Sequence, residues 1–268
     1  MRVIEIENCY FTNNSLCPKI FGTIEGYYKS SNKKINFEFN NIKQSCKLHY
    51  DKTIKQYSLY IPEKIITIKN NDIKDKNNII GIDLGLRTFM TCLSNNEAIN
   101  IGNTSKSVLK NLIKKQTYIK TNLKEKKIKM TNKIRKKLLK INKRIKGFID
   151  EMHWKSIKFL TDNYKNILIG DLSTKGIVCN DKSILKGYNK NLAYALSFHK
   201  YRERLKYKCS IKNCNYIKVN EYYTSKTCSM CTNVHEKLGS SKIFKCSKCN
   251  LEIDRDINGC RNIILKCL

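Results

Sequence analysis

Residues 223–259 read YTSKTCSMCTNVHEKLGSSKIFKCSKCNLEIDRDING and contain two Cys-x-x-Cys turns with fourteen residues between them. Each such turn places two thiolates within reach of one ion, and a second turn completes the tetrahedral shell that zinc prefers. The pattern therefore predicts a zinc ribbon over residues 224–250. Its expected ligands are Cys228, Cys231, Cys246 and Cys249.

The predicted ribbon is structural, because four thiolates leave the metal no open position for chemistry. His235 could replace one thiolate, but four cysteines already saturate the ion. Cys209 and Cys214 lie outside any Cys-x-x-Cys turn and are interpreted as plain thiols. The ribbon is therefore expected to hold its neighbours in place, and the segment that follows it carries Asp254 and Asp256.

The chain is strongly basic, with 53 Lys and Arg against 22 Asp and Glu and a formal net charge of +31 over 268 residues. Such an excess indicates a polyanionic partner, since solubility alone does not require it. Thirteen cysteines and the lack of an apolar signal segment favour a reducing compartment, the cytoplasm or the nucleus, over secretion. No run is apolar and long enough to span a bilayer, so no membrane partner is expected.

Alternating apolar and polar residues predict short strands within residues 1–70, followed by a polar linker over 70–78. Ile79–Gly85 then forms an apolar run that contains Asp83, which is typical of a buried strand presenting one acid. Two further strands are expected over 86–93 and 98–101.

Residues 106–146 contain seventeen Lys or Arg and a single acid, Glu125, with apolar residues at helical spacing. They predict a long basic helix that ends at Gly147, and 149–161 predicts a second helix that returns antiparallel. A solvated charged face is the common explanation of such a run, but the near-absence of acids favours contact with a nucleic-acid backbone. The expected contact residues are Lys133, Arg135, Lys136, Lys137, Lys140, Lys143 and Arg144.

The remaining elements are a strand over 166–172, a helix over 192–207, a strand over 216–223 and a closing helix over 257–265. On the second predicted helix, His153 and Trp154 are expected to be packed core rather than catalytic. Tyr222 and Tyr223 could stack on bases, but strand tyrosines mostly pack against a sheet, which is the expectation here.

Five acids lie at strand ends or at a helix start: Asp83, Asp171, Glu221, Asp254 and Asp256. Each alone would be a solvated cap. Together they suit the hydrolysis of a phosphodiester by two Mg²⁺ ions about 4 Å apart, which requires several carboxylates from distant segments. The sequence therefore predicts a magnesium-dependent nuclease.

Four segments, 81–86, 223–231, 244–249 and 254–263, closely resemble the TnpB and Fanzor proteins of transposable elements. The resemblance implies an α/β fold with an RNase H-like (RuvC-like) mixed sheet, an inserted basic helical hairpin and a zinc ribbon, preceded by a partial β-barrel wedge. It also implies a guide RNA from the element itself, a DNA target and two catalytic Mg²⁺ ions. Such proteins are traditionally called transposases and associated with DNA recombination.

The resemblance implies a division of the chain into a wedge over 1–70, a nuclease core over 79–223 with the helical insertion at 105–163, the ribbon, and a last core segment over 251–268. Family members generally carry more sequence upstream, so the chain is expected to be shortened at its N-terminus. A companion transposase or an upstream reading frame would then supply the missing recognition part.

By position, Asp83 matches the first catalytic carboxylate of the family and Asp256 the third, with Asp254 as a neighbouring acid. The second carboxylate normally falls where this chain has Gly170, and related chains with this loss use a glutamate just before the Thr-Ser-Lys-Thr-Cys motif. Glu221 stands there. Asp171 is the alternative, but consecutive strand residues point to opposite faces, which favours Glu221.

Three functions therefore stay open at this point. The first is an active RNA-guided DNA endonuclease. The second is a nuclease-dead remnant that only binds nucleic acid. The third is a basic structural protein with a zinc ribbon, similar in composition to ribosomal proteins, which would have no need for the acids.

Overall fold

The computed structural model describes residues 2–12, 15–22, 26–27, 34–35, 39, 42–51, 56–64, 78–95, 97–103, 108–178, 187–236, 238–239 and 241–268. The chain divides into two compact units, Met1–Ile65 and Ile66–Leu268. The linker predicted over 70–78 lies outside the described residues except for Asn78.

The first unit contains an antiparallel three-stranded sheet in the order β1-β6-β7. The strands predicted around His49 and Leu59 are confirmed, and these residues lie on adjacent strands in which Leu48 pairs with Leu59. The elements of this unit are β1 (Arg2–Ile6), a 3₁₀ turn (Asn8–Tyr10), β2 (Phe11–Thr12), β3 (Ser15–Leu16), α1 (Pro18–Phe21), β4 (Gly26–Tyr27), β5 (Lys34–Ile35), β6 (Cys46–Asp51) and β7 (Gln56–Tyr60).

The second unit is built on a five-stranded mixed sheet in the order β10-β9-β8-β11-β12. Strands β8, β9 and β10 form an antiparallel meander, whereas β11 and β12 run parallel to β8. The elements are β8 (Ile79–Leu84), β9 (Thr88–Ser94), β10 (Ala98–Asn103), α2 (Val108–Glu125), α3 (Asn132–Asn163), β11 (Asn166–Gly170), α4 (Thr174–Val178), α5 (Tyr188–Leu196), α6 (Phe198–Lys212), β12 (Asn215–Val219), β13 (Ile243–Lys245), β14 (Glu252–Asp254) and α7 (Arg255–Leu265).

The central strand β8 has a different partner on each face. Ile80, Ile82 and Leu84 alternate along it and join the main core with residues of α2, α3, α5 and α6. Gly81 and Asp83 point the other way, toward α7. A Cβ atom on Gly81 would lie 2.9 Å from the carbonyl oxygen of Cys260, so this glycine lets the helix approach the sheet closely.

Parallel strands present their carboxyl ends at one edge of a sheet, which is where α/β proteins commonly bind ligands. Strands β8, β11 and β12 end at this edge, and three of the predicted acids, Asp83, Asp171 and Glu221, lie at or just after these ends, whereas Asp254 and Asp256 lie at the start of α7. The topology therefore explains why acids far apart in the chain come together.

Two helix boundaries differ from the expectation. Gly147 lies inside α3, and the turn between the basic helices falls after Lys126 instead. Thr131 is the N-cap of α3 and accepts a hydrogen bond from the backbone N–H of Ile134 at 3.2 Å. The single helix expected over 192–207 is two helices, because Ser197 adopts a left-handed conformation with φ of 51° between α5 and α6.

None of the helices in the described part of the chain combines the length and the apolarity that a membrane crossing requires.

A carboxylate cleft beside a four-cysteine ribbon

Asp83 lies near the end of β8 on the face that α7 covers. A Cβ atom on Gly259 would stand 2.8 Å from its Oδ2 atom, so the glycine at this turn of α7 leaves room for the carboxylate. Burial raises the pKa of Asp83 well above its usual range, and the nearby charges of Glu221 and Asp256 raise it further. Negative charge is therefore concentrated here.

Glu221 takes the space that a side chain at position 170 would need. Any Cβ atom on Gly170 would overlap the carboxylate of Glu221, because this carboxylate lies directly against the end of β11. The two residues are brought together by the parallel pairing of β11 with β12, in which Gly170 is opposite Val219. The glycine and the glutamate thus form one complementary pair.

The Glu221 carboxylate is incompletely satisfied. Its Oε1 atom is buried and has no hydrogen-bond partner among the described residues, while the backbone of Leu172 bonds the carboxylate. Burial raises the pKa of Glu221 to about 7, and the charge of Asp171 acts in the same direction. A buried carboxylate oxygen without a partner is costly unless a cation or a donor reaches it.

Asp171 has a different task. Its Oδ1 atom accepts a hydrogen bond from the backbone N–H of Glu221 at 3.1 Å, and its own N–H donates to the carbonyl oxygen of Val219 at 3.0 Å. These bonds tie the end of β11 to the turn that carries Glu221. Asp171 therefore fixes the position of Glu221.

Asp254 and Asp256 differ in their hydrogen bonds and burial. Asp254 is the N-cap of α7, and its Oδ1 atom accepts from the backbone N–H groups of Asp256 at 2.9 Å and Ile257 at 3.2 Å. Asp256, in the first turn of α7, is partly buried, and burial raises its pKa. Arg255 and Arg87 oppose this rise.

One cleft of about 410 Å³ is lined by Asp83, Glu221 and Asp256, together with the cations Arg87, Lys242 and Arg255. In the part of the chain that the structure describes, the carboxylates do not form a group whose ligand atoms all lie within 4.8 Å of one another. Ligands of two ions about 4 Å apart need not be that close. Oxygen donors, accumulated negative charge and the orphaned Glu221 oxygen fit divalent cations such as Mg²⁺.

The four predicted thiolates form a compact cluster, with their sulfur atoms within 4.8 Å of one another. The sulfur atoms of Cys228 and Cys249 are 3.5 Å apart, as are those of Cys231 and Cys246. A tetrahedral zinc site with Zn–S bonds of about 2.3 Å requires about 3.8 Å. Backbone N–H groups of Cys249 and Lys248 lower the pKa of Cys246 to about 6, whereas burial and the neighbouring sulfur atoms raise the pKa of Cys249 to about 12. The cluster supports a structural zinc.

Two asparagines of α7 connect this ribbon to the cleft. Asn258 donates from Nδ2 to the carbonyl oxygen of Thr227 at 2.8 Å and accepts from the N–H of Ser229 at 3.1 Å. Asn262 donates to the carbonyl oxygens of Thr224 at 2.7 Å and Thr227 at 2.8 Å. Neither asparagine was predicted to have a role, although their spacing of four on the closing helix places them on one face.

A buried arginine was missed as well. The Arg202 side chain is 9% exposed and donates from Nη1 to the carbonyl oxygen of Leu172 at 2.8 Å. Its positive charge opposes the rise in the pKa of Glu221. A basic residue on an ordinary helix gives no sequence signal that would mark it out.

The predicted basic contact residues all lie exposed on α3, while Leu138, Ile141 and Ile145 face the core. None of the seven forms an ion pair with a described residue. The expectation for His153 is correct, since the ring is fully buried and its Nε2 atom lies 3.0 Å from the carbonyl oxygen of Leu196. The expectation for Trp154 is wrong, because this side chain is 39% exposed.

The tyrosines before the ribbon also differ from expectation. Tyr222 is 72% and Tyr223 41% exposed, and they lie in a turn after β12 rather than against a sheet. The two rings contact each other edge-on, with centroids 4.4 Å apart.

Comparison with known proteins agrees with this architecture. The family model described as "Probable transposase" matches residues 63–180, and the model described as "Cas12f1-like, TNB domain" matches residues 198–263. A TnpB-like protein of Acanthamoeba polyphaga mimivirus is 35% identical over 98% of this chain and 49% of its own length. The chain belongs to the TnpB-like family.

Two other relatives extend the comparison. A putative transposase of Paramecium bursaria Chlorella virus 1 is 31% identical over 71% of this chain and 43% of its own length. The CRISPR-associated endodeoxyribonuclease Cas12f1 of Sulfoacidibacillus thermotolerans is 32% identical over 26% of this chain and 17% of its own length. The chain spans about half the length of the TnpB-like mimivirus relative, 49%. The predicted resemblance is therefore confirmed.

Proposed function

We propose that this TnpB-like chain is a Mg²⁺-dependent DNA endonuclease with a RuvC-like, RNase H-like core, directed by a guide RNA. The observation that carries the proposal is the Glu221 carboxylate, which occupies the space above Gly170 and lines one cleft with Asp83 and Asp256. Strand order β10-β9-β8-β11-β12, with β8 in the centre, supports the RNase H-like assignment.

Asp83, Glu221 and Asp256 would hold the ions. Bound Mg²⁺ would supply an activated water and stabilise the leaving oxygen of the phosphodiester. The chain itself concentrates negative charge at the carboxyl edge of the sheet, and Asp171 keeps Glu221 oriented through its backbone N–H. Arg87 and Lys242, on the wall of the same cleft, are suited to bind the phosphates that flank the scissile bond.

DNA and a guide RNA are the proposed partners. The exposed basic row of α3, from Lys133 to Arg144, supports a polyanionic partner, since no described acid neutralises it. The name of the Cas12f1 relative, an endodeoxyribonuclease, supports DNA as the substrate. A ribbon zinc would keep β14 and the start of α7 in place, and with them Asp256.

The test uses purified protein, the RNA that co-purifies with it and double-stranded DNA that matches this RNA. We expect cleavage with Mg²⁺, none with a chelator, and none for Asp83→Asn, which keeps the shape of the side chain but cannot hold the ions. Lys155→Gln is the control, because Lys155 lies on α3 and pairs with Glu151 away from the cleft. Binding of the DNA without cleavage by the unmodified protein would identify the nuclease-dead alternative. Cleavage by Asp83→Asn at the unmodified rate would refute the assigned site.

A further inference from the structure

A second cleft, lined by none of the acids Asp83, Glu221 and Asp256, lies between α3 and α6 and has a volume of about 580 Å³. Its walls carry two aromatic side chains, Trp154 and Tyr207, which are 39% and 47% exposed. Aromatic rings that line a surface cleft offer an apolar face on which a planar partner can stack. Lysines line the same cleft, which restricts the chemistry of that partner.

Side chains of α3 and α6 face each other across the cleft at three successive levels, which we call rungs. Trp154, Lys158 and Asp162 follow one another at intervals of four on α3, and Arg204, Lys208 and Lys212 do so on α6. The Arg204 guanidinium lies 4.9 Å from the centre of the Trp154 ring, and the Lys212 amine lies 3.3 Å from an oxygen of Asp162. In the first and the third rung, the side chain from α3 therefore contacts the side chain from α6.

The middle rung consists of two lysines. Because the outer pairs match first with first and third with third, the helices run in the same direction and Lys158 stands opposite Lys208. Neither lysine forms an ion pair with any residue that the structure describes. Two like charges across a cleft repel each other unless an anion lies between them.

The aromatic rung is rigid. Arg204 covers the Trp154 ring and is held by Asp150, whose Oδ1 atom accepts from Nη2 at 2.6 Å, and by the ring of His153, at 3.2 Å from Nη1. Arg204 therefore occupies one face of the Trp154 ring, and a base would stack on the opposite face. Successive rungs are about 6 Å apart along the helix.

We propose that this cleft binds single-stranded nucleic acid, with a base stacked on Trp154 or Tyr207 and its phosphate between Lys158 and Lys208. An aromatic platform next to a pair of unneutralised lysines is the combination by which proteins hold unpaired nucleotides without reading their sequence. A duplex keeps its bases stacked on one another and cannot use the platform. The site is independent of the carboxylate chemistry and does not depend on the proposed nuclease activity.

The chain contains a single tryptophan, so the platform carries its own reporter. We would titrate the full chain, without divalent cations, with oligothymidylate and with oligouridylate of about 12 nucleotides. Selectively excited tryptophan emission should be quenched saturably by either single strand and little by a duplex of the same length. Quenching by only one of them would assign the site to DNA or to RNA.

Variants separate the platform from general charge. Lys158→Gln with Lys208→Gln should weaken binding and reduce the slope of log K against log salt by roughly 0.7 for each phosphate that the variant no longer binds. Trp154→Ala should weaken binding of a labelled oligonucleotide about tenfold, while Trp154→Phe retains a stacking ring and most of the affinity. Lys155→Gln removes the same charge from α3 outside the cleft and should bind like the unmodified chain.

The proposal fails if anisotropy of the labelled oligonucleotide shows saturation while tryptophan emission stays constant. It also fails if Trp154→Ala binds as tightly as the unmodified chain, or if the duplex quenches equally. All of these substitutions are at partly exposed positions, and circular dichroism checks that each variant is folded. Asp83→Asn should give the unmodified quenching curve, so a failed nuclease assay and a failed platform remain distinguishable.

Discussion

The ribbon and the carboxylate cleft are two candidate metal sites that are assembled in opposite ways. The four sulfur atoms of the ribbon lie within 4.8 Å of one another, and all come from 22 consecutive residues, Cys228–Cys249. The acids of the cleft come from β8, from the turn after β12 and from α7, and burial, followed by the charges of Glu221 and Asp256, raises the pKa of Asp83. A local motif can preorganise its metal site, whereas a site built from distant segments depends on the packing of the sheet against α7, and here cationic side chains share the cleft with the acids.

The largest effect should come from breaking the ribbon. Cys246→Ser, or a chelator strong enough to remove zinc, should unfold residues after about 224, because metal binding to such sites contributes on the order of 10 kcal/mol to folding. Hydrogen exchange by residue should show lost protection in β13, β14 and α7 but continued protection in β8 and β9. An unchanged cooperative melt of the zinc-free protein would contradict this expectation.

The next effect distinguishes the two acids near β11. Glu221→Gln should lower the rate of Mg²⁺-dependent cleavage by roughly three orders of magnitude, since a metal ligand acts directly on the transition state. Asp171→Asn should lower it about tenfold, because this residue only orients Glu221. Single-turnover cleavage rates measure both. Activity that survives at Glu221→Gln but is lost at Asp171→Asn would reverse the assignment.

A smaller change tests the complementarity of Gly170 and Glu221. Gly170→Ala adds only a methyl group, yet this group would overlap the Glu221 carboxylate and displace it. We expect a drop of roughly a hundredfold in the cleavage rate, with a melting temperature lowered by a few degrees. Gly147→Ala on α3 is the matched control, because nothing lies within 4 Å of the added atom. If the two variants cleave at equal rates, cleavage does not depend on the position of Glu221 against the end of β11.

The smallest effect concerns the connection between the two sites. Asn262→Ala leaves the carbonyl oxygens of Thr224 and Thr227 without this donor and should cost about 2 kcal/mol of stability. Denaturant unfolding measures the loss. The Mg²⁺ concentration for half-maximal cleavage should rise as well, since Thr224 belongs to the turn that begins at Glu221. If Asn262→Ala lowers the stability but leaves the Mg²⁺ concentration for half-maximal cleavage unchanged, the ribbon and the cleft are independent.

Local signals were sufficient for much of the architecture. The apolar run around Ile82 predicted the central strand, and the spacing of Cys228, Cys231, Cys246 and Cys249 predicted the thiolate cluster. The family resemblance, together with the alternation of strand residues, led to Glu221 as the replacement for the carboxylate missing at Gly170, and the parallel register of β11 and β12 brings these two residues together. In each case the determining contacts lie within one segment or between adjacent parallel strands.

Other features depend on packing that a sequence does not display. Gly147 was expected to end a helix, but glycine costs only about 1 kcal/mol in a helix interior, and the buried residues on either side, Ile145 and Ile149, hold α3 together. The real break has no glycine or proline, and only the N-cap Thr131 marks it. Trp154 was expected in the core together with its neighbour His153, whereas its ring is 39% exposed and lies beside the guanidinium of Arg204 on another helix.

The order of the acids along the chain also bears on biosynthesis. Asp83 lies in the first strand of the sheet, while Asp256 lies in the last helix, which begins directly where β14 of the ribbon ends. During translation, the cleft that contains Asp83 therefore cannot be completed until the ribbon and α7 have also been made.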